Sequence, residues 1–178
     1  MLWSRKPAPV HDRARAVGLD LTASRALAEA SGSRALLLDP PDHELPLFIA
    51  GDRRTPEVGR AGVGIARKNP HLVCSNFLPA LGQAKEWKLG RHALVAEAAL
   101  GLVFDKVRGP VLAESDAVGL ALPAYLSPSQ VTRVGFVAER SKLPLAGTAS
   151  AALALVADRA FELLATRPAA PKDKESGG

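Results

Sequence analysis

The chain has one cysteine, Cys74, so no disulfide can form within it. That suits a reducing compartment, and the cytoplasm is the expected location. Aromatic residues are scarce at 4%, so the core must be built from Leu, Val and Ala. No apolar run reaches the roughly 18 residues a membrane span needs, and no membrane partner is expected. The first ten residues hold two prolines and no apolar h-region, so they do not read as a signal peptide. His11, His43, His71 and His92 are scattered and, with one cysteine, offer no zinc-ligand spacing. No GxxxxGK[ST] phosphate loop occurs, and Gly59-Arg60-Ala61-Gly62-Val63-Gly64 lacks the spacing of a dinucleotide fold. Close backbone packing is the expected role of those glycines.

What is present describes an ordinary globular chain. Its 178 residues are 47% hydrophobic and 23% charged, enough for one domain with a proper core. The formal charge is +5, and much of the excess lies in Arg5, Lys6, Arg13 and Arg15. These cations are too few for a dedicated polybasic segment, and no aromatics are interleaved to stack on bases. A solvated arm is the reading, and a nucleic-acid partner is not expected. The domain plan is a flexible basic arm over 1–14, a folded lobe over 15–166 and a disordered polar tail over 167–178.

Within the lobe, Ala16 to Leu21 is a short apolar run with its charge at Asp20. Ala26 to Ala30 and Ala35 to Leu38 flank Ser31-Gly32-Ser33, which reads as a hairpin turn. Asp39-Pro40-Pro41-Asp42 is a loop. Leu45 to Ala50 and Glu57 to Gly59 are further strand fragments. Ala61 to Lys68 forms a helix that stops before Asn69-Pro70. His92 to Val107 is almost continuously apolar and reads as a buried helix. Ala117 to Leu122 is a buried strand. Ser127-Pro128-Ser129-Gln130 is a helix start, with Ser127 as cap, Pro128 at the first helical position and Gln130 closing a capping box. Val131, Val134 and Ala138 then share a face. Leu143 to Ala146 is a short strand. Thr148 caps a last helix whose stripe is Ala149, Ala152, Leu153, Val156, Ala160, Phe161 and Leu164, ending at Pro168. The class is α/β, with antiparallel hairpins first and crossover helices later.

The residues with chemical promise cluster around Asp20. A carboxylate at a strand end, before a polar turn, can hold magnesium directly or through water beside phosphate oxygens. Thr22, Ser24 and the backbone N–H groups of the turn could meet the phosphate. An Asp in this setting also commonly caps a turn. Asp42-His43-Glu44 reads as solvated loop, and Asp116 precedes its strand rather than ending it.

Gly18-Leu19-Asp20-Leu21-Thr22-Ala23-Ser24 resembles the opening Gly-Ile-Asp-Leu-Gly-Thr-Thr strand of DnaK-type heat-shock chaperones. Leu122-Pro123-Ala124-Tyr125-Leu126-Ser127-Pro128-Ser129-Gln130 is similar to that family's Val-Pro-Ala-Tyr-Phe-Asn-Asp-Ser-Gln. Gly147-Thr148-Ala149-Ser150-Ala151-Ala152-Leu153-Ala154-Leu155 is similar to its Glu-Pro-Thr-Ala-Ala-Ala-Leu-Ala-Tyr. Val58-Gly59, Ala66, Asn69-Pro70 and Leu81-Gly82 resemble its peripheral subdomain. The resemblance covers about residues 15–160 and implies the first lobe of an actin-like ATPase, with a ribonuclease-H-like mixed sheet. It implies ATP or ADP with magnesium as cofactor, held by Asp20, Thr22 and Ser24, and an interdomain switch proline at Pro123.

The same resemblance implies losses. The family's phosphate-loop glycine is Thr22 here, and its next Thr is Ala23. Its catalytic lysine falls on Leu78, which cannot neutralise a transferring phosphoryl group. Its catalytic glutamate falls on Gly147, and the arginine that works with the switch proline falls on Val131. The second lobe, with its Asp-Leu-Gly-Gly-Gly-Thr hairpin, is absent from this sequence. The expectation is a non-catalytic or weakly nucleotide-binding lobe that engages a protein partner or itself through an exposed face. The alternative is half of an ATP-dependent chaperone whose other lobe lies on another chain or was lost by truncation.

Overall fold

Val17, Leu19 and Leu21 alternate with Gly18 and Asp20, the two-residue period that sends side chains to opposite faces of a strand. In the computed structural model these residues form β1 (Val17–Leu21), at the centre of the main sheet. The structure describes residues 16–30 and 34–153. The arm over 1–14, the Ser31-Gly32-Ser33 turn, most of the last helix and the tail lie outside the described residues.

β2 (Arg25–Ala30) returns antiparallel to β1, and β3 (Arg34–Ala35) returns antiparallel to β2. β4 (Leu45–Pro46) pairs with the other end of β2. A peripheral unit follows. β5 (Ile49–Ala50) pairs with β6 (Glu57–Val58) and with β7 (Val73–Cys74), and α1 (Arg60–Lys68) lies between those two in sequence. A hairpin of β8 (Glu86–Leu89) and β9 (His92–Val95) leads into α2 (Ala96–Glu114). β10 (Val118–Leu122) then pairs parallel with β1. After α3 (Pro128–Arg140), β11 (Leu145–Ser150) pairs parallel with β10. The main-sheet order is β11-β10-β1-β2-β3, a mixed sheet of the expected α/β class.

Five expectations need correction. Ala35 to Leu38 is strand only at Ala35, where β3 ends. His92–Val95 is the second strand of a hairpin and not helix, and α2 runs beyond Val107 to Glu114 with Pro110 inside it. Gly90, at φ +62, makes the turn before this strand, and an apolar run alone does not tell strand from helix. Leu45 to Ala50 is two strands in different sheets. The final strand runs on to Ser150, so Thr148 is a strand residue. Ser150 is the cap, its Oγ accepting the Leu153 N–H at 3.2 Å.

α3 starts as its sequence dictates: Ser127 Oγ accepts the Gln130 N–H at 3.3 Å, and Gln130 Oε1 accepts the Ser127 N–H at 3.0 Å. Two glycines of the 59–64 stretch, Gly59 and Gly62, pack closely, whereas Gly64 has open space where a Cβ would stand. Phe48 lies against Gly62 where a Cβ would sit, and Gly59, at φ +112, leaves room for the Asp39 carboxylate. Asp39 is buried, accepts the Arg60 N–H at the start of α1 at 2.9 Å and pairs with Lys106 of α2 at 3.2 Å. One carboxylate thus joins the Asp39–Asp42 loop to two helices.

The core is aliphatic, as the composition requires. Val17, Leu19 and Leu21 of β1, Val118, Leu120 and Leu122 of β10 and Ala99, Leu100, Val103, Phe104 and Val107 of α2 are all buried. Phe104→Ala should therefore cost about 3–5 kcal/mol in urea unfolding, through lost burial plus a cavity. Phe136→Ala, on a side chain 62% exposed on α3, should change stability by less than about 0.5 kcal/mol.

Candidate functional site

The parallel strands β1, β10 and β11 end at one edge of the main sheet, at Leu21, Leu122 and Ser150. Asp20 stands one residue before that edge, paired in register with Leu27 of β2 and Ala121 of β10. The strand period turns it away from the face that packs on α2. Its Oδ1 is buried and has no hydrogen-bond partner. Desolvating a carboxylate oxygen without a donor is costly, so this atom is the clearest unsatisfied group in the site.

Thr22 and Ser24 lie in the β1–β2 turn. The Thr22 N–H donates to the Arg25 carbonyl at 2.9 Å. Thr22 Oγ1 accepts the N–H groups of Arg25 at 3.1 Å and Ser24 at 3.4 Å, and donates to the Arg25 carbonyl at 3.2 Å. The amides of Ser24 and Arg25 are thereby engaged within the turn. Threonine closes the loop with its own side chain where glycine would leave backbone free to approach a phosphate.

Leu78 is fully buried in the core, on a short 3-10 turn over Leu78–Ala80. Gly147 lies within β11, with open space where a Cβ would stand. Pro123 follows β10 and lines a cavity of about 220 Å³ with Leu122, Leu126, Val131, Thr148 and Ser150. Asp20 and Pro123 therefore share the region of the parallel strand ends, while Gly147 lies three residues back along β11 beside Gly119 and Leu78 sits in the interior. Among the described residues no group of three or more His, Cys, Asp or Glu side chains is placed to hold a metal. Asp42 is exposed and Glu44 half-buried, and they pair with Arg60 and Arg25 respectively.

Sequence reasoning missed a broad concavity on the main sheet. The face of the sheet opposite α2 carries a cavity of about 740 Å³ lined by Gly18, Asp20, Glu29, Gly119, Ala121 and Gly147 with neighbouring backbone. Its floor is ordered in rows. Glu29, Gly18, Gly119 and Gly147 stand side by side across four strands, and Leu27, Asp20, Ala121 and Ala149 form the next row. The signal was the near-repeat of Val17-Gly18-Leu19-Asp20-Leu21 in Val118-Gly119-Leu120-Ala121-Leu122. Two glycines at equivalent places in neighbouring strands leave a strip of bare backbone.

Cys74 is buried within the peripheral unit, on β7. Burial pushes its thiol from the usual 9.0 up to about 12, with Lys85 partly opposing. A neutral buried thiol is neither nucleophile nor metal ligand. Native protein should leave Cys74 unmodified by a maleimide, and unfolding should release it. Between about pH 9 and 12 the unfolded chain loses this proton before the folded one does. Stability should therefore fall as pH rises through that window, and Cys74→Ala should remove that part of the slope in paired pH titrations of unfolding.

No protein-family model matches the chain, and no curated protein matches it.

Proposed function

We propose that the chain is a DnaK-like first lobe that acts as a non-catalytic binding module, with residual magnesium–nucleotide affinity at Asp20. The observation that carries this reading is the placing of Asp20. It stands at the C-terminal end of a central strand whose neighbours are an antiparallel hairpin on one side and a parallel crossover strand on the other. Ligands of open α/β sheets gather outside such strand ends. The unpartnered Oδ1 of Asp20 fits a carboxylate that reaches a hydrated magnesium ion.

The rest of the family's chemistry has no counterpart here. Leu78 is apolar and buried, Gly147 has no side chain, and the amides of Ser24 and Arg25 are held by Thr22. A phosphoryl group in transfer needs fixed positive charge and an ordered nucleophile, and these positions supply neither. The partner is then a protein, engaged through the lobe's exposed surface, and nucleotide is at most a weak ligand.

Calorimetric titration of the purified chain with ATP and with ADP, each in magnesium, tests this. Weak binding that Asp20→Ala abolishes, with no phosphate release, is the expected result. Sustained magnesium-dependent ATP turnover that Asp20→Ala eliminates would show a working ATPase and overturn the non-catalytic assignment.

A further inference from the structure

We infer that the peripheral unit binds an acidic segment of a partner protein, a short run of Asp and Glu, on a basic end carrying Arg54, Arg67, Lys68, Lys88 and Arg91. Residues 51–95 hold eight Lys and Arg against three Asp and Glu. Residues 16–50 hold two against five, and residues 96–153 hold five against five. Within the described lobe the positive excess is therefore confined to this unit. Three turns meet at its end. The Gly51 N–H donates to the Leu72 carbonyl at 2.9 Å, and His92 Nε2 donates to the Arg53 carbonyl at 2.8 Å. A Cβ on Gly90 would stand 3.5 Å from Leu72 Cδ2. These contacts gather the 51–54 loop, the 3-10 turn Pro70–Leu72 and the β8–β9 turn. Arg54 lies on the first. Arg67 and Lys68 end the helix that leads into the second, and Lys88 and Arg91 flank the third.

All five side chains belong to exposed residues, and among the described residues none of them pairs with a carboxylate. Cations elsewhere are mostly paired, as Arg25 is with Glu44, Lys106 with Asp39 and Arg133 with Glu97. Inside the unit Arg53 takes Glu57 at 2.8 Å. Arg67 and Lys68 also suit the carboxyl end of α1, where the helix dipole favours cations. Arg54, Lys88 and Arg91 have no such local reason. Gathered like charges repel one another until an anion arrives. The arginines offer planar forks that match carboxylates two bonds at a time. Nucleic acid fits less well. Trp87 is the one aromatic of residues 51–95 that is not fully buried, and Lys85 Nζ lies over its ring at 4.7 Å, so no free face is left for a base to stack on. A long polyanion that ran on over the lobe would also meet the acid-rich strands of residues 16–50, which a short acidic segment avoids.

This assignment names the chemistry of the protein partner proposed above and rests on that half of the reading. Fluorescence anisotropy of the full chain with a labelled poly-Glu peptide, without nucleotide, tests it. Binding should weaken at least about tenfold between about 20 and 200 mM salt, as screening shortens. At about 100 mM salt, where the screening length is about 10 Å, Arg54→Glu with Arg91→Glu should weaken binding at least about tenfold. Arg140→Glu with Lys142→Glu makes the same change in net charge at the end of α3 and should leave binding within about twofold. Circular dichroism confirms that each variant is folded. No peptide binding by the folded chain at the lowest salt overturns the assignment, as does binding that Arg54→Glu with Arg91→Glu leaves unchanged. Tighter binding of a labelled oligothymidylate, lost in the same variant, means a nucleic-acid surface and overturns it too. The nucleotide titration of Asp20 is read separately, so failure of either measurement leaves the other standing.

Discussion

β1 is paired along both edges, antiparallel to β2 and parallel to β10, and that double pairing is the constraint from which the rest of the chain follows. An antiparallel neighbour can follow a tight turn, which Thr22 closes with its hydroxyl. A parallel neighbour cannot, because the chain must return to the starting edge before it can run the same way again. Residues 31–117 are that return. They contain the peripheral strands, the β8–β9 hairpin and α2, which carries the chain back along the buried face. The pairing also puts Asp20 beside the ends of two further parallel strands, without any local motif that would announce it.

Polar contacts also tie the long return to itself, and Asp39 makes two of them. Its carboxylate caps the start of α1 through the Arg60 N–H and reaches Lys106 on α2. A buried charge is tolerable only when it is paired and hydrogen-bonded, and Asp39 is both. Gly59 is required beside it, because any side chain there would meet that carboxylate and because φ +112 strains any other residue. Gly59 is thus explained by packing around one acid, and Gly62 by the approach of Phe48.

Much of this fold was legible in the sequence where local chemistry and tertiary role agree. β1 and β10 declare themselves by apolar alternation, and α3 by the Ser127–Gln130 capping box. The failures fell where the signal was non-local. β9 was absorbed into a helix because Leu94 and Val95 lead directly into the apolar start of α2 at Ala96, Ala98 and Ala99. β11 was cut short because Gly147, Thr148 and Ser150 are small or polar, and only pairing with β10 makes them a strand. For the candidate site, the position of Asp20 at a strand end was readable from its neighbours. That its Oδ1 lacks a donor, and that Thr22 consumes the turn amides, depends on backbone geometry that no spacing encodes. The glycine row left only the near-repeat of β1 in β10 as a trace in the sequence, since register across strands is a property of the sheet.

That row sets two demands on the same positions against each other. Glycine inside a strand is unfavourable, because its backbone loses more freedom on folding and contributes no side-chain contact. A β-branched residue at Gly119 or Gly147 has room and would favour the extended backbone. Each added side chain would also raise the floor of the cavity and reduce its volume. The stability of the sheet and the room above it therefore rank the same substitutions in opposite order.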